Sequence, residues 1–225
     1  MNLLQFWGIH PLNLLQSIVM AEVGGTLQSG ETPMGDPLNA DRLTRLCQGD
    51  EAAFDELYLD LYPRVYRFIY RMIRDPSLAE ELVSETFMVV WEKPNSFNHS
   101  SKVSTWVMGI AYRKTLKARV RQLRGADDLP MDDFSEVLSD RRNSTTREVD
   151  LSDLLLKGLS ELSEIQRAVV ELSSYHGLSY QEIAVILDCP ENTVKTRMHS
   201  ARQKLAPYLR LLEPDLDDYC FEATT

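Results

Sequence analysis

The sequence predicts an all-α chain: two small helical domains joined by a flexible acidic linker, the second a helix-turn-helix. Three observations carry this. Apolar residues recur at helical spacing from about Asp41 to Arg124. The composition then changes: Asp127, Asp128, Asp132, Asp133, Glu136 and Asp140 precede a Ser/Thr run, and no apolar period is sustained between Ala126 and Asp150. Ser179 to Leu205 reads as two short helices broken at Asp188-Cys189-Pro190. At 225 residues the chain is long enough for two small domains. The expected layout is an N-terminal extension (1–40), a first helical domain (41–124), the linker (125–148), the helix-turn-helix domain (149–212) and an acidic tail (213–225).

The extension has no Lys or Arg before Arg42. A secretory signal needs a positively charged start, so export is not expected. Asn2 to Ala21 is apolar, but Gln5, His10, Pro11, Asn13 and Gln16 interrupt it. A membrane span needs about 20 mostly apolar residues, so no stable membrane insertion is expected and the location is cytoplasmic. Gly24 to Pro37 is rich in Gly, Thr, Ser and Pro and reads as a linker. The extension is either a start placed ahead of Met20 or Met34, or a peripheral hairpin that docks on a partner.

In the first domain Asp50 suits the cap of a helix with Phe54, Leu57, Tyr58, Leu61, Val65, Phe68, Ile69 and Met72 on its apolar side. Pro63 within it is expected to kink the helix or split it in two. Asp75-Pro76 restarts a helix. Ala79, Leu82, Val83, Thr86, Phe87 and Val90 form its inner face, while Glu80, Glu81, Ser84, Glu85, Met88 and Glu92 face out. That acidic stripe is either a solvated face or a docking surface for a basic helix.

A polar loop follows, Pro94 to Ser101, and then a helix from about Lys102 to Arg124. Val103, Trp106, Val107, Ile110 and Ala111 form its inner side, with most of the Trp106 ring in the core. Arg113, Lys117, Arg121 and Arg124 lie outside. No Asp or Glu occurs between Lys93 and Ala126. Phe97 is expected to be exposed in the loop. A flat ring beside a basic helix suits single-stranded nucleic acid, because bases need faces to stack on and phosphates need cations.

Past the linker, Leu151 to Leu162 resumes helical spacing, and Ser163 with Gln166 forms a capping box. That helix has Ile165, Val169, Val170 and Leu172 inside and ends at Gly177. Ser179 with Glu182 makes a second capping box, with Ile183, Ala184 and Leu187 as the apolar face. Pro190 suits the first turn of the next helix, where a missing N–H costs nothing. There Val194, Met198, Ala201 and Leu205 make a buried stripe, and Glu191, Lys195, His199 and Arg202 recur opposite. No acidic residue occurs from Asn192 to Leu212, and Thr193, Thr196 and Ser200 add groups able to reach phosphates or base edges.

The net charge of −10 does not exclude nucleic-acid binding, which needs local and not total positive charge. Cys47, Cys189 and Cys220 share no metal or redox spacing and read as reduced thiols. No metal-ligand cluster, phosphate-binding glycine loop or nucleophile elbow occurs, and His10, His99, His176 and His199 sit in unrelated contexts. The expectation is a non-enzyme with no cofactor and no metal. A stand-alone helix-turn-helix repressor or activator is the alternative. It leaves the basic, aromatic-bearing first domain unexplained, and no heptad seam for the usual dimer is visible.

Three stretches resemble the bacterial extracytoplasmic-function (ECF) group of sigma-70 factors. AAFDELYLDLYPRVYRF with DPSLAEELVSETFMVVW is similar to that family's second region, SFNHSSKVSTWVMGIAYRKTLKARVR to its promoter-melting part, and LSYQEIAVILDCPENTVKTRMHSARQKL to its fourth region. The resemblance implies a subunit of core RNA polymerase that recognises a minus-thirty-five duplex and melts a minus-ten element. It implies that Glu80, Glu81, Ser84, Glu85 and Met88 meet the polymerase. Phe97, Asn98, His99, Ser100, Ser101 and Lys102 would take a flipped minus-ten base, and Trp106, Arg113, Lys117 and Arg121 would hold nearby bases or phosphates. Members of the family often carry Asn where Arg113 stands. Upstream, Lys195, Thr196 and His199 would lie nearest the bases and Arg197 or Arg202 on phosphate, with Glu191, Asn192, Thr193 and Ser200 completing the surface. The acidic linker would thread the polymerase's RNA path, and an anti-sigma factor is an implied partner.

Overall fold

The computed structural model describes residues 36–124 and 157–212. The apolar run 2–21, the linker, residues 149–156 and the tail with Cys220 lie outside the described residues. The helices are α1 (Pro37–Cys47), α2 (Glu51–Ile73), α3 (Pro76–Glu92), α4 (Val103–Arg124), α5 (Glu164–Ser174), α6 (Tyr180–Leu187) and α7 (Glu191–Leu212). A 3-10 turn, Pro94–Ser96, lies between α3 and α4, and no strand occurs among the described residues. They fall into two compact units, one of 36–124 with 178–193, the other of 157–177 with 194–212.

In the first unit α1 begins ahead of the expected start near Asp41. Asp36 caps it by accepting from the Asn39 N–H (3.4 Å), and Pro37 opens the first turn. Asn39, expected in the peripheral extension, is buried, and its amide donates to Asp36 (2.6 Å) and Asp60 (3.0 Å). Arg42 and Arg45 clamp α1 to α2 through Glu56 at 3.2 and 3.4 Å.

Asp50 caps α2 by accepting from the Ala52 N–H. Leu57, Leu61, Val65, Phe68, Ile69 and Met72 are buried, while Phe54 and Tyr58 are half-buried. Each fully buried side chain of this size stabilises the fold by about 1.5–3 kcal/mol. Pro63 does not split α2, which runs unbroken from Glu51 to Ile73. Pro63 is exposed, and so is Leu59, the residue whose carbonyl loses its partner, at 73%. The missing hydrogen bond therefore falls on the solvent side, where water can replace it.

Asp75 caps α3 by accepting from the Ser77 and Leu78 N–H groups, and all six expected inner residues of α3 are buried. Helix α4 buries Val103, Val107, Ile110 and Ala111 as expected, together with Met108, Tyr112 and Thr115. Helix α6 packs along α4 in the same unit.

In the second unit both arms of the Ser163–Gln166 capping box are present at the start of α5. Val169, Val170 and Leu172 are buried and Ile165 is half-buried. The buried side also takes in Arg167 and Glu171. The helix ends at Ser174 with Tyr175 as its C-cap, ahead of the expected stop at Gly177, which turns with φ +61°. Lys204 of α7 donates to the Glu161 carbonyl (3.1 Å) and the Gln166 side chain (3.0 Å). Gly158 lies against the Tyr208 ring, where a Cβ would approach to 3.0 Å.

Candidate nucleic-acid interface

Phe97 is not the exposed ring that its polar loop suggests. It is 7% exposed and packs on Trp106 (ring centroids 5.5 Å) and on His99 (4.8 Å). At the end of the 3-10 turn the Phe97 N–H donates to the Pro94 carbonyl, and the Phe97 ring lies against Trp106 of α4. Trp106 is half-buried. Asn98, His99 and Ser100 form the exposed rim. The Asn98 carbonyl oxygen accepts from the Ser100 N–H (3.1 Å) and hydroxyl (2.6 Å), which locks the tip. His99 has φ +59°, a left-handed conformation costing a residue with a Cβ roughly 1–2 kcal/mol. Ser101 and Lys102 are half-buried.

Along α4, Arg113, Lys117 and Arg121 are all exposed and share one side. Lys114 turns the other way and donates to Glu85 on α3 (2.8 Å). Lys102, expected to face nucleic acid, is engaged within the unit: its ammonium lies 2.9 Å from Oε1 of Glu182 on α6.

Helices α6 and α7 form on either side of the expected break at Asp188-Cys189-Pro190. At the start of α6 the Ser179 hydroxyl accepts from the Glu182 N–H, and Glu182 accepts from the Ser179 N–H. Ile183 and Leu187 are buried with Ile186, while Ala184 is half-buried. Asp188 turns the chain in the left-handed region at φ +50°. Pro190 sits just ahead of α7, and its carbonyl accepts from the Thr193 N–H. Val194, Met198, Ala201 and Leu205 are fully buried, as their spacing requires. Asn192, Lys195, Thr196 and His199 are exposed, whereas Glu191, Thr193, Arg197, Ser200 and Arg202 are half-buried. The His199 ring is tethered to Gln203 at 3.1 Å.

On α3, Glu80, Glu81, Ser84 and Met88 are exposed and Glu85 is half-buried. The Tyr62 hydroxyl donates to Glu80 (2.9 Å). Burial, followed by that carboxylate, pushes the phenol up to about 12, so it stays a donor. One feature was not anticipated from sequence. Phe54, Tyr58, Phe87, Met88 and Trp91 line an open groove of about 490 Å³ between α2 and α3, rimmed by Glu51 and Asp55. The i, i+4 run Phe54, Tyr58, Tyr62, Tyr66, Tyr70 was the signal available for it. Tyr62, Tyr66 and Tyr70 stack in turn at 5.8 and 5.9 Å.

Residues 57–125 match the family described as Sigma-70 region 2, and residues 152–205 match Sigma-70, region 4. The ECF RNA polymerase sigma factor SigW of Bacillus subtilis is 30% identical over 182 residues, covering 75% of this chain and 95% of that protein. The chain belongs to the ECF RNA polymerase sigma factors. SigM of Bacillus subtilis is 30% identical over 151 residues, covering 67% of this sigma factor and 91% of the relative. SigK of Mycobacterium tuberculosis is 29% identical over 171 residues, covering 72% and 89%. Among solved structures, the sigma factor RpoE in complex with the anti-sigma factor NepR from Bartonella quintana has a TM-score of 0.51 at 27% identity, covering 70% of this chain and 97% of that one. CnrH in complex with the cytosolic domain of CnrY has a TM-score of 0.55 at 19% identity, covering 79% and 99%, and supports the fold alone. This sigma factor directs promoter-specific transcription initiation with core RNA polymerase. Among the described residues no helix is long and apolar enough to cross a membrane.

Proposed function

We propose a division of labour among three surfaces of this sigma factor. Residues 41–124 serve core-polymerase docking and minus-ten melting, residues 149–212 read the minus-thirty-five duplex, and residues 125–148 connect them as an acidic linker in the RNA path. Glu80, Glu81, Ser84, Glu85 and Met88 on α3 meet a basic element of the polymerase. Asn98 to Lys102 receive the opened strand, with Trp106, Arg113, Lys117 and Arg121 beside it. In the upstream major groove, Lys195, Thr196 and His199 contact base edges, Arg197 or Arg202 neutralises phosphate, and Glu191, Asn192, Thr193 and Ser200 flank them. The protein acts in the cytoplasm, performs no catalysis of its own, and is held in check by an anti-sigma factor, as the RpoE–NepR pair suggests.

The observation that carries this reading is the exposed row Arg113, Lys117 and Arg121 on a helix whose surrounding stretch, Lys93 to Ala126, contains no carboxylate. Run-off transcription with purified core polymerase tests it. Specific transcripts are expected from the holoenzyme only. Replacing Lys195 and Thr196 with Ala should cost roughly 1–3 kcal/mol at an upstream base pair; unaltered promoter preference in a selection from random duplexes would remove them from the base-reading set.

A further inference from the structure

We propose that the apolar segment Asn2 to Ala21 of this same chain docks in the aromatic groove between α2 and α3 and there competes with core polymerase. The competition rests on the reading that α3 meets the polymerase; the docking does not.

The groove is walled by Phe54 and Tyr58 of α2 and by Phe87, Met88 and Trp91 of α3. Its rings hold one another in place. Phe54 meets Trp91 (centroids 5.0 Å) and Phe87 (6.4 Å) edge-on, and Tyr58 lies 4.7 Å from Phe87. The walls are therefore ordered before any occupant arrives, which lowers the cost of binding. Met88 at 56% and Trp91 at 41% are left exposed together over this cleft. Single exposed apolar residues need no explanation, but a contiguous patch of them marks an interaction surface. The rim carries Glu51 and Asp55, so an acidic occupant is repelled.

The segment Asn2 to Ala21 fits those terms. It holds eleven large apolar side chains and no Asp, Glu, Lys or Arg. The Sigma-70 region 2 match begins at residue 57 and leaves it without a role. Its tether also suits. Residues 22–35, fourteen in number, join it to α1. Fully extended they span about 50 Å at most. Helix α1 starts against α2, where the Asn39 amide donates to Asp60 at 3.0 Å. Phe54 lies six residues back along α2, about 9 Å of helix, and passing round the helix adds roughly its diameter of 10–12 Å. The groove is thus well within reach. Tethering raises the local concentration of the segment to the order of millimolar, an advantage that a separate partner lacks.

Ser84 and Met88 line the groove and also belong to the face proposed for the polymerase. A docked segment covers both. Docking in about 80–90% of molecules lowers the apparent affinity for core polymerase about five- to tenfold, because only the open fraction binds.

The test uses the full chain with a photo-crosslinking residue in place of Phe6. Irradiation of the dilute protein should give a product of monomer mass, joined to peptides holding Phe54 to Tyr58 or Phe87 to Trp91. Leu14→Asp with Leu15→Asp sets carboxylates against the acidic rim. It should abolish that product and tighten binding to core polymerase five- to tenfold. Crosslinks only elsewhere in the chain overturn the docking, and products only of dimer mass give the groove to a second copy instead. Core affinity of the double Asp variant within twofold of the parent overturns the competition. An intact mass showing that the chain made in its own cells starts at Met20 or Met34 overturns the whole proposal. Adding Glu81→Lys to the double Asp variant should abolish core binding. Retained binding there overturns the reading of α3 as the polymerase face, while the crosslink still decides the docking.

Discussion

Glu182 serves two structures with one carboxylate. Its Oε2 accepts from the Ser179 N–H and hydroxyl, both at 3.0 Å, while Oε1 faces the Lys102 ammonium at 2.9 Å. Desolvation pushes its pKa up, but the hydrogen bonds from Lys102 and the Ser179 backbone outweigh it and hold the carboxyl below its ordinary 4.5. Folding therefore gains from the ionised form. The gain is present above the unfolded value and is lost as the pH falls through the lowered folded value. Glu182→Gln keeps an acceptor for the capping box, just as Gln166 does in α5, and removes only the ion pair. At neutral pH the variant should lose about 0.2–1 kcal/mol, the usual worth of a partly exposed pair. The plot of melting temperature against pH should flatten below about pH 4.5, since one proton-linked contribution is gone. An unchanged acid slope would show that Glu182 ionisation is not coupled to folding. Asp50 and Glu56 keep some acid sensitivity in the variant, because Arg45 lowers both.

At the scale of the helix, Pro63 makes the sharpest test of what holds these elements together. Helix α2 is continuous through it because the apolar side, Leu57 to Met72, is buried on both sides of the proline. Tertiary packing overrides the local penalty. Pro63→Ala restores an N–H for the Leu59 carbonyl, and should stabilise the protein by about 1–3 kcal/mol, less the few tenths lost through a freer unfolded chain. Thermal melting reads this directly, and a lowered midpoint would mean that the proline ring itself packs. The caps at Asp50, Asp75, Ser163 and Ser179 could all be foreseen, since each bond spans two or three residues. The buried stripe of α7 was equally legible, its apolar period being unbroken from Val194 to Leu205. What could not be read depends on distant partners. Phe97 looks exposed in sequence yet lies against Trp106, and Lys102 looks available until α6 brings Glu182 to it. Arg167 and Glu171 sit on the buried side of α5 although nothing in the local pattern separates them from surface charges. The candidate site was thus readable as a set of helices and charges, and unreadable wherever a loop folds back.

Over the whole molecule the charge is divided by sequence position. All 34 carboxylates fall outside the stretches 94–126 and 192–212, which hold the cations proposed for DNA, and the net charge is −10. A duplex approaching the free protein meets a repulsive average field, and only close contact finds the basic helices. Affinity must then come from a few local phosphate contacts plus whatever the polymerase adds. Each such contact releases condensed counterions, so the logarithm of the binding constant falls with the logarithm of salt by about 0.7 per phosphate on a single strand. Lys117 is exposed on α4 and presents an ammonium, a point charge suited to phosphate. Lys117→Gln in the holoenzyme should therefore weaken binding to the opened strand whatever its sequence and lower the salt slope by about 0.7. Binding isotherms of parent and variant on the same fork-junction DNA, taken over a series of salt concentrations, measure that slope. A Lys117→Gln slope equal to the parent's would place its ammonium away from phosphate.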